Sequence, residues 1–336
     1  MTSSNSNKEK VNKTLHKSAT RLVLNGRFGP YLAGLIEGNG SIYVPAKNGK
    51  IDTQKSFLLT IRFKLKDLPL AEKIKEILTG ARSSYHLDIF IQKNTKSVFL
   101  VIQDINTVWY IVLLTCGFFR TPKLVDYITL VNYLQLTAQN TRNSEFFNKI
   151  TEFKANMRWN ILDLSEIESN SWLAGVVDSS TGNFYVNQVQ GNSVKFILNF
   201  RMEAKQNFYK ETLNSFPDFN RSMFPIMSKL ARYFRVNLYL KERSRCIDNR
   251  IDYQFALATF NRTNNQKVID YFYKFPLFSS KRLDFLTWVE IKRIVESQTF
   301  SPLSKLLVKH IQCLIYQIND RRTMFRWNHL KYLGKV

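Results

Sequence analysis

The sequence predicts an α+β fold of two pseudo-symmetric αββαββα units whose antiparallel sheets form one basic saddle. Three observations carry that expectation. The order helix, strand, strand, helix, strand, strand, helix can be read twice, at an offset of about 140 residues. The strands alternate apolar and polar positions, as sheets do when helices cover one face only. Lysine and arginine number 49 against 26 acidic residues, a formal charge of +23 over 336 residues. An excess of that size points to a polyanionic partner, nucleic acid first.

Composition removes several classes. The chain has room for one large domain or two of about 150 residues. Its 44% hydrophobic and 14% aromatic content excludes disorder throughout. Cys116, Cys246 and Cys313 lie far apart without Cys/His spacing, so neither a disulfide framework nor a zinc site is expected. Apolar stretches such as 98–102 and 109–114 are too short to cross a bilayer. His16, His86, His310 and His329 are scattered, and no pair of carboxylates has acid–base spacing.

Residues 1–29 read as a flexible basic tail, acid-poor and rich in Ser, Asn and Lys, with a transit peptide as the alternative. The first unit then occupies 30–136. A short apolar helix over 31–36 is stopped by Gly38-Asn39-Gly40, and 41–44 follows as a strand. Over 56–66, Phe57, Leu59, Ile61, Phe63 and Leu65 alternate with Thr60, Arg62, Lys64 and Lys66. Asp67 suits the N-cap of a helix running to Leu78. Strands over 84–92 and 97–103 come next, then helices over 106–114 and 122–136, the latter with Pro122 in its first turn. Residues 137–169 are polar and helix-prone and read as a linker.

The second unit, 170–300, repeats the order. A helix over 172–179 leads to strands over 182–188 and 194–205, the second alternating Phe196, Leu198, Phe200 and Met202 with Lys195, Asn199, Arg201, Glu203 and Lys205. A helix over 225–234, strands near 237–243 and 251–260, and helices near 266–273 and 282–297 complete it. Residues 301–336 hold a last helix over 302–318 and a basic run from Arg321 to Lys331. That run reads as a surface tail, with phosphate contact the alternative.

Two strings open the units: Tyr31-Leu-Ala-Gly-Leu-Ile-Glu-Gly-Asn-Gly-Ser-Ile-Tyr-Val44 and Trp172-Leu-Ala-Gly-Val-Val-Asp-Ser-Ser-Thr-Gly-Asn-Phe-Tyr-Val186. They resemble the paired signature helices of the LAGLIDADG homing endonuclease and maturase family, in its two-repeat monomeric form. Phe119-Arg-Thr-Pro-Lys-Leu-Val-Asp-Tyr127 resembles the segment closing the first repeat in the mitochondrial intron-encoded branch. The small residues explain the pattern physically. Ala33, Gly34, Ala174 and Gly175 let two helices approach to backbone contact, which brings their acidic ends to one central groove. Glu37 and Asp178 fall at the family's sixth motif position, where the acid is structural and belongs to the domain interface.

The resemblance also implies what is missing. Active members carry one metal-binding carboxylate per motif, at the eighth position, because a hard divalent cation is held through charged oxygens. Here Asn39 stands in the first motif. In the second, one extra residue leaves either Ser180 or Thr181 there, and neither is an acid. Rescue by Glu37 or Asp178 would require a swing of about two residues along the helix. The lysine often found after the fourth strand aligns with Asp104 and Asn261. No metal or other cofactor is therefore expected, with Mg²⁺ required only if the chain cuts DNA.

Binding is well provided for. The outward sheet face is expected to carry Lys47, Lys55, Arg62, Lys64 and Lys66 in the first unit. In the second it carries Lys195, Arg201, Lys205, Lys241, Arg243, Arg245 and Arg250. Tyr43, Tyr185 and Tyr239 are candidates for stacking on unpaired bases. The leading expectation is an RNA maturase for a group I intron, a monomer with internal pseudo-two-fold symmetry or part of a ribonucleoprotein. An active DNA homing endonuclease acting on duplex DNA is one alternative. A structural RNA-binding protein of a mitochondrial ribosome is another. The resemblance and an Asn-, Lys-, Ile- and Phe-rich composition suggest the mitochondrial matrix.

Overall fold

Helix α1 (Phe28–Asn39) is longer at both ends than the expected 31–36: Phe28 and Gly29 are already buried, and the helix runs through Gly38 and Asn39 before Gly40 ends it. It opens the first unit of a computed structural model that describes residues 26–47, 49–80, 82–191, 194–207, 221–244, 251–298 and 303–334. Residues 1–25 of the expected tail lie outside the described residues. The unit continues with β1 (Gly40–Tyr43), a small hairpin of β2 (Ala46–Lys47) and β3 (Lys50–Ile51), and β4 (Leu58–Lys64). Then come α2 (Leu68–Thr79), β5 (Asp88–Gln92), β6 (Ser97–Ile102), α3 (Ile105–Thr115) and α4 (Leu124–Asn140). The β2–β3 hairpin has no counterpart in the sequence reading. Strand β5 is shorter than the expected 84–92, because Tyr85 N–H closes a turn on Arg82 O and His86 N–H bonds Thr107 Oγ1.

The second unit copies the first. Helix α5 (Ser144–Asn156) packs back on α4 after a left-handed turn at Arg142, and Lys154 Nζ reaches Asn132 Oδ1 and Gln135 Oε1. Helix α6 (Trp172–Val176) then runs into a π-helical turn, Val177–Thr181. Strands β7 (Gly182–Val189) and β8 (Lys195–Lys205), helix α7 (Phe224–Phe234), strands β9 (Tyr239–Ser244) and β10 (Ile251–Ala258), and helices α8 (Arg262–Lys274) and α9 (Lys281–Ser297) follow. The described chain ends with α10 (Lys305–Ile315) and two 3-10 turns.

Each unit holds one antiparallel four-stranded sheet, ordered β1-β4-β6-β5 and β7-β8-β10-β9. Their registers superpose: Gly40 pairs with Ile61, and Gly182 with Met202. The alternation read in the sequence sets the faces. Phe57, Leu59, Ile61 and Phe63 are buried beneath the helices, as are Phe196, Leu198, Phe200 and Met202. Helix α7 shows the matching helical period, burying Ile226, Met227, Leu230, Ala231 and Phe234. In the second unit Phe184 packs against Phe200, Phe272, Phe285 and Trp288, so an aromatic cluster fills the space between sheet and helices.

Candidate functional site

Helices α1 and α6 meet through backbone, and glycine permits it. A Cβ on Gly34 would lie 2.1 Å from Trp172 O, and one on Gly175 2.0 Å from Tyr31 O. Ala33 and Ala174 are fully buried beside them. The contact is reciprocal, with the same motif position facing the same carbonyl in each direction.

The motif acids sit inside this contact and are consumed by it. Glu37 accepts from the backbone N–H of Arg120 and Thr121, from Thr121 Oγ1, and from the indole Nε1 of Trp172 in the other unit. Asp178 accepts from Phe278 N–H, from Ser279 Oγ, and from the Tyr31 hydroxyl, again across the junction. Burial raises both carboxyls above their ordinary range, Asp178 to about 6, and these donors pull them partly back. Each acid is thus held by its own unit and by the first motif residue of the other.

A buried lysine closes each helix base. Lys123 Nζ donates to Ile36 O, Glu37 O and Gly40 O at 2.9, 3.0 and 2.7 Å. Lys281 Nζ donates to Val177 O and Gly182 O at 2.7 and 2.6 Å. A cation on the last carbonyls of a helix satisfies orphan acceptors and favours the negative end of the macrodipole. Desolvation lowers both ammonium groups to about 8. Sequence reasoning singled out neither lysine, yet the signal was there. Thr121-Pro-Lys-Leu-Val-Asp-Tyr127 and Ser279-Ser-Lys-Arg-Leu-Asp-Phe285 share hydroxyl, lysine, aspartate and aromatic at one spacing.

The positions where active family members carry metal-binding acids are turned to other partners. Asn39 Nδ2 donates to Arg62 O. Thr181 Oγ1 donates to Val176 O, as does the neighbouring Ser179 Oγ, while the Ser180 side chain lies outside the described residues. The extra residue of the second motif is absorbed by the π turn, which widens the helix to i→i+5 bonding while Gly182 keeps the register of Gly40. Counted from the strand, Thr181 stands opposite Asn39. Asp104 and Asn261 are helix caps, accepting from Thr107 N–H and Asn264 N–H at the starts of α3 and α8. Asp67, expected to cap α2, makes no such bond; its carboxylate instead takes Ser280 N–H, at the start of α9 in the other unit.

The cationic residues divide. Lys64, Lys195 and Lys205 are exposed near the ends of β4 and β8, and Lys47 is exposed on the small hairpin. Lys55 lies in the loop before β4, off the sheet. Lys66 is not on the sheet face either. It lies in a 3-10 turn, donates to Asn319 O and covers the Phe325 ring. Arg201, Lys241 and Arg243 converge on the single carboxylate of Glu203, which lowers that acid and offsets their charge. Arg245 and Arg250 lie outside the described residues. Tyr43, Tyr185 and Tyr239 are exposed, at 56%, 38% and 55%. Arg62 donates to Ser97 Oγ at 3.0 and 2.7 Å and rests over Phe99, a ring that sequence reasoning passed over.

The basic run from Arg321 is not a free tail. Arg322 pairs with buried Asp284 at 3.1 Å, Asn319 Nδ2 donates to Phe184 O, and the His329 ring contacts Phe278 O. Tyr332 and Leu333 line a small apolar cavity with Phe28 and Tyr31. The segment therefore straps the second unit to the first.

Comparison with known proteins agrees with this geometry. The sequence profile of the LAGLIDADG endonuclease family matches residues 32–134 and 173–292. The chain is 32% identical over 329 residues to "Intron-encoded DNA endonuclease aI3" of Saccharomyces cerevisiae, covering 95% of this chain and 76% of that protein. Among solved structures, I-SmaMI bound to cleaved DNA shares the fold at a TM-score of 0.62 and 19% identity, over 89% of this chain and 99% of that one. I-AabMI bound to uncleaved DNA does so at 0.58 and 17%, over 86% and 99%. With both motif helices, both sheets and the profile in agreement, the chain belongs to the LAGLIDADG endonuclease family, the endonuclease/maturase class of nucleic-acid-binding proteins.

Proposed function

We propose that this chain is an RNA-binding maturase that assists the folding of a group I intron and does not cut DNA. One observation carries the reading: no carboxylate stands at the eighth position of either motif. The Asn39 amide and Thr181 hydroxyl found there already donate to Arg62 O and Val176 O. Mg²⁺ requires charged oxygens free to turn toward it. Glu37 and Asp178 cannot supply them without giving up buried donors from both units. The donor set therefore does not fit the ion. Among the described residues no other cluster of His, Cys, Asp or Glu has the makings of a metal site.

What the remaining residues do is bind. The exposed lysines and the net charge of +23 supply phosphate contacts, and about 6–10 of them would make affinity fall steeply with salt. A monomer in the mitochondrial matrix, alone or within a ribonucleoprotein, completes the proposal. The composition and the resemblance to the mitochondrial intron-encoded branch support that part.

A second reading rests on the printed name of the yeast relative, a DNA endonuclease. One experiment separates the two. The protein is incubated with Mg²⁺ and, in parallel, with structured intron RNA and with a plasmid carrying the uninterrupted insertion site. Tight, salt-sensitive RNA binding with intact plasmid is expected. A site-specific double-strand break, or equal affinity for random duplex DNA, would overturn the maturase reading.

A further inference from the structure

We propose that the outward face of the first sheet is a stacking platform for unpaired bases of a single-stranded or looped RNA, built on Phe90 and Phe99. The inference rests on the RNA-binding reading and names the part of the RNA this face takes. It starts from register. Arg62 on β4 pairs with Phe99 on β6, and Phe99 pairs with Phe90 on β5, so the three form one row across the sheet. Leu100, next to Phe99 in sequence, is fully buried on the helix side, which places the row on the open side.

The row lacks a packing explanation. Phe90 is 59% exposed on an edge strand, where a polar residue would do as well for folding. Arg62 lies with its guanidinium 5.7 Å from the Phe99 centroid and is pinned there by Ser97 Oγ. That arrangement stiffens a flat surface before any ligand arrives. The adjacent row holds Lys64, and the turn joining β5 to β6 holds exposed Lys93 and Lys96. The acid of the face, Asp88, lies 3.3 Å from the His86 ring nitrogen. An apolar ring surface fringed by cations suits bases joined by phosphates better than it suits an apolar peptide.

Unpaired bases use these rings more fully than a duplex does. In a duplex the base faces are stacked on one another and only edges are offered, where Phe can touch little beyond a thymine methyl. A four-stranded sheet with aromatics on its open side instead takes splayed bases face to face. Phe90 and Phe99 are direct cross-strand partners on strands about 5 Å apart, so one nucleic-acid strand can lay a separate base on each ring. The second unit does not duplicate this. Its matching row is Glu203, Ala256 and Tyr239, and Glu203 is occupied by three cations. The platform belongs to one unit only, an asymmetry within a symmetric fold.

The test uses the full chain and two fluorescein-labelled probes: a mixed-sequence RNA single strand of about 12 nucleotides and a DNA duplex of about 20 base pairs, read by anisotropy. Phe90→Ser and Phe99→Thr are compared with wild type, with thermal melts confirming that each variant folds. Each is expected to lose about 5- to 150-fold in single-strand affinity, the range for one stacked base. The slope of log affinity against log salt should stay unchanged, because no phosphate contact is removed. Lys93→Gln with Lys96→Gln should do the reverse and flatten that slope. Wild-type single-strand affinity in both Phe variants, or an equal loss toward the duplex, overturns the platform while leaving intron binding intact. If wild type shows no preference for structured RNA, the maturase reading falls instead. A single DNA strand in place of the RNA then decides the platform by the same two variants.

Discussion

Lys123 and Lys281 show how much of this site is held by single side chains. Each carries its charge into a buried place and spends it on helix carbonyls. Lys123→Met should lower the unfolding free energy by about 2–3 kcal/mol, because three acceptors lose a charged donor together; chemical denaturation measures it. Asp178 gives a pH-dependent counterpart. Its folded carboxyl is raised to about 6, so the folded state binds the proton more tightly than the unfolded chain. Its contribution is full below the ordinary carboxylate range, near pH 4, and is lost as pH rises through 6. Lys281, lowered to about 8, runs the opposite way, its contribution present above pH 10 and lost as pH falls through 8. The stability of wild type relative to Asp178→Asn should therefore decline between pH 4 and 7, and a flat difference would contradict the assignment.

At the scale of elements, the helix pair α1 and α6 tolerates no Cβ at its crossing. Gly34→Ala and Gly175→Ala drive a methyl into a backbone carbonyl. Each should cost at least about 3 kcal/mol, the upper end of overpacking, because a carbonyl cannot rotate aside as a side chain can. A melt that moves by only a degree or two would refute that. The crossing was legible in the sequence, since Ala33-Gly34 and Ala174-Gly175 have little else to do. The strands β4 and β8 were legible too, because a period of two over seven or more residues has one reading. The π turn was not. An extra residue announces itself only as a doubtful count, and bonding to i+5 depends on Gly182 being held in register by β8. The row of Arg62, Phe99 and Phe90 was hidden for a related reason: its members are 37 and 9 residues apart, counting 99 − 62 and 99 − 90, and only pairing across strands aligns them.

For the whole molecule, the strap after α10 decides how firmly the units are joined. Asp284 is 1% exposed; burial raises its carboxyl, and pairing with Arg322 offsets part of that rise. Arg322→Met should cost about 3–5 kcal/mol, since it strands a buried charge rather than trimming a surface pair. The measured drop should shrink in acid, where Asp284 takes up a proton. Read as sequence, Arg321 to Lys331 looked like solvated basic residues. Burial by a partner far along the chain, here Asp284 and Phe278, leaves no local mark.

The crossed grip of Tyr31 on Asp178 and Trp172 on Glu37 makes the two halves hostages of one another. Severed anywhere between Met157 and Glu166, the fragments would each keep a carboxyl short of one donor and a ring with nothing to hold. Produced alone, neither piece should be soluble; produced side by side in one cell, they should find each other and reassemble. A lineage carrying such a gene could divide it between two loci, and would then have to inherit both.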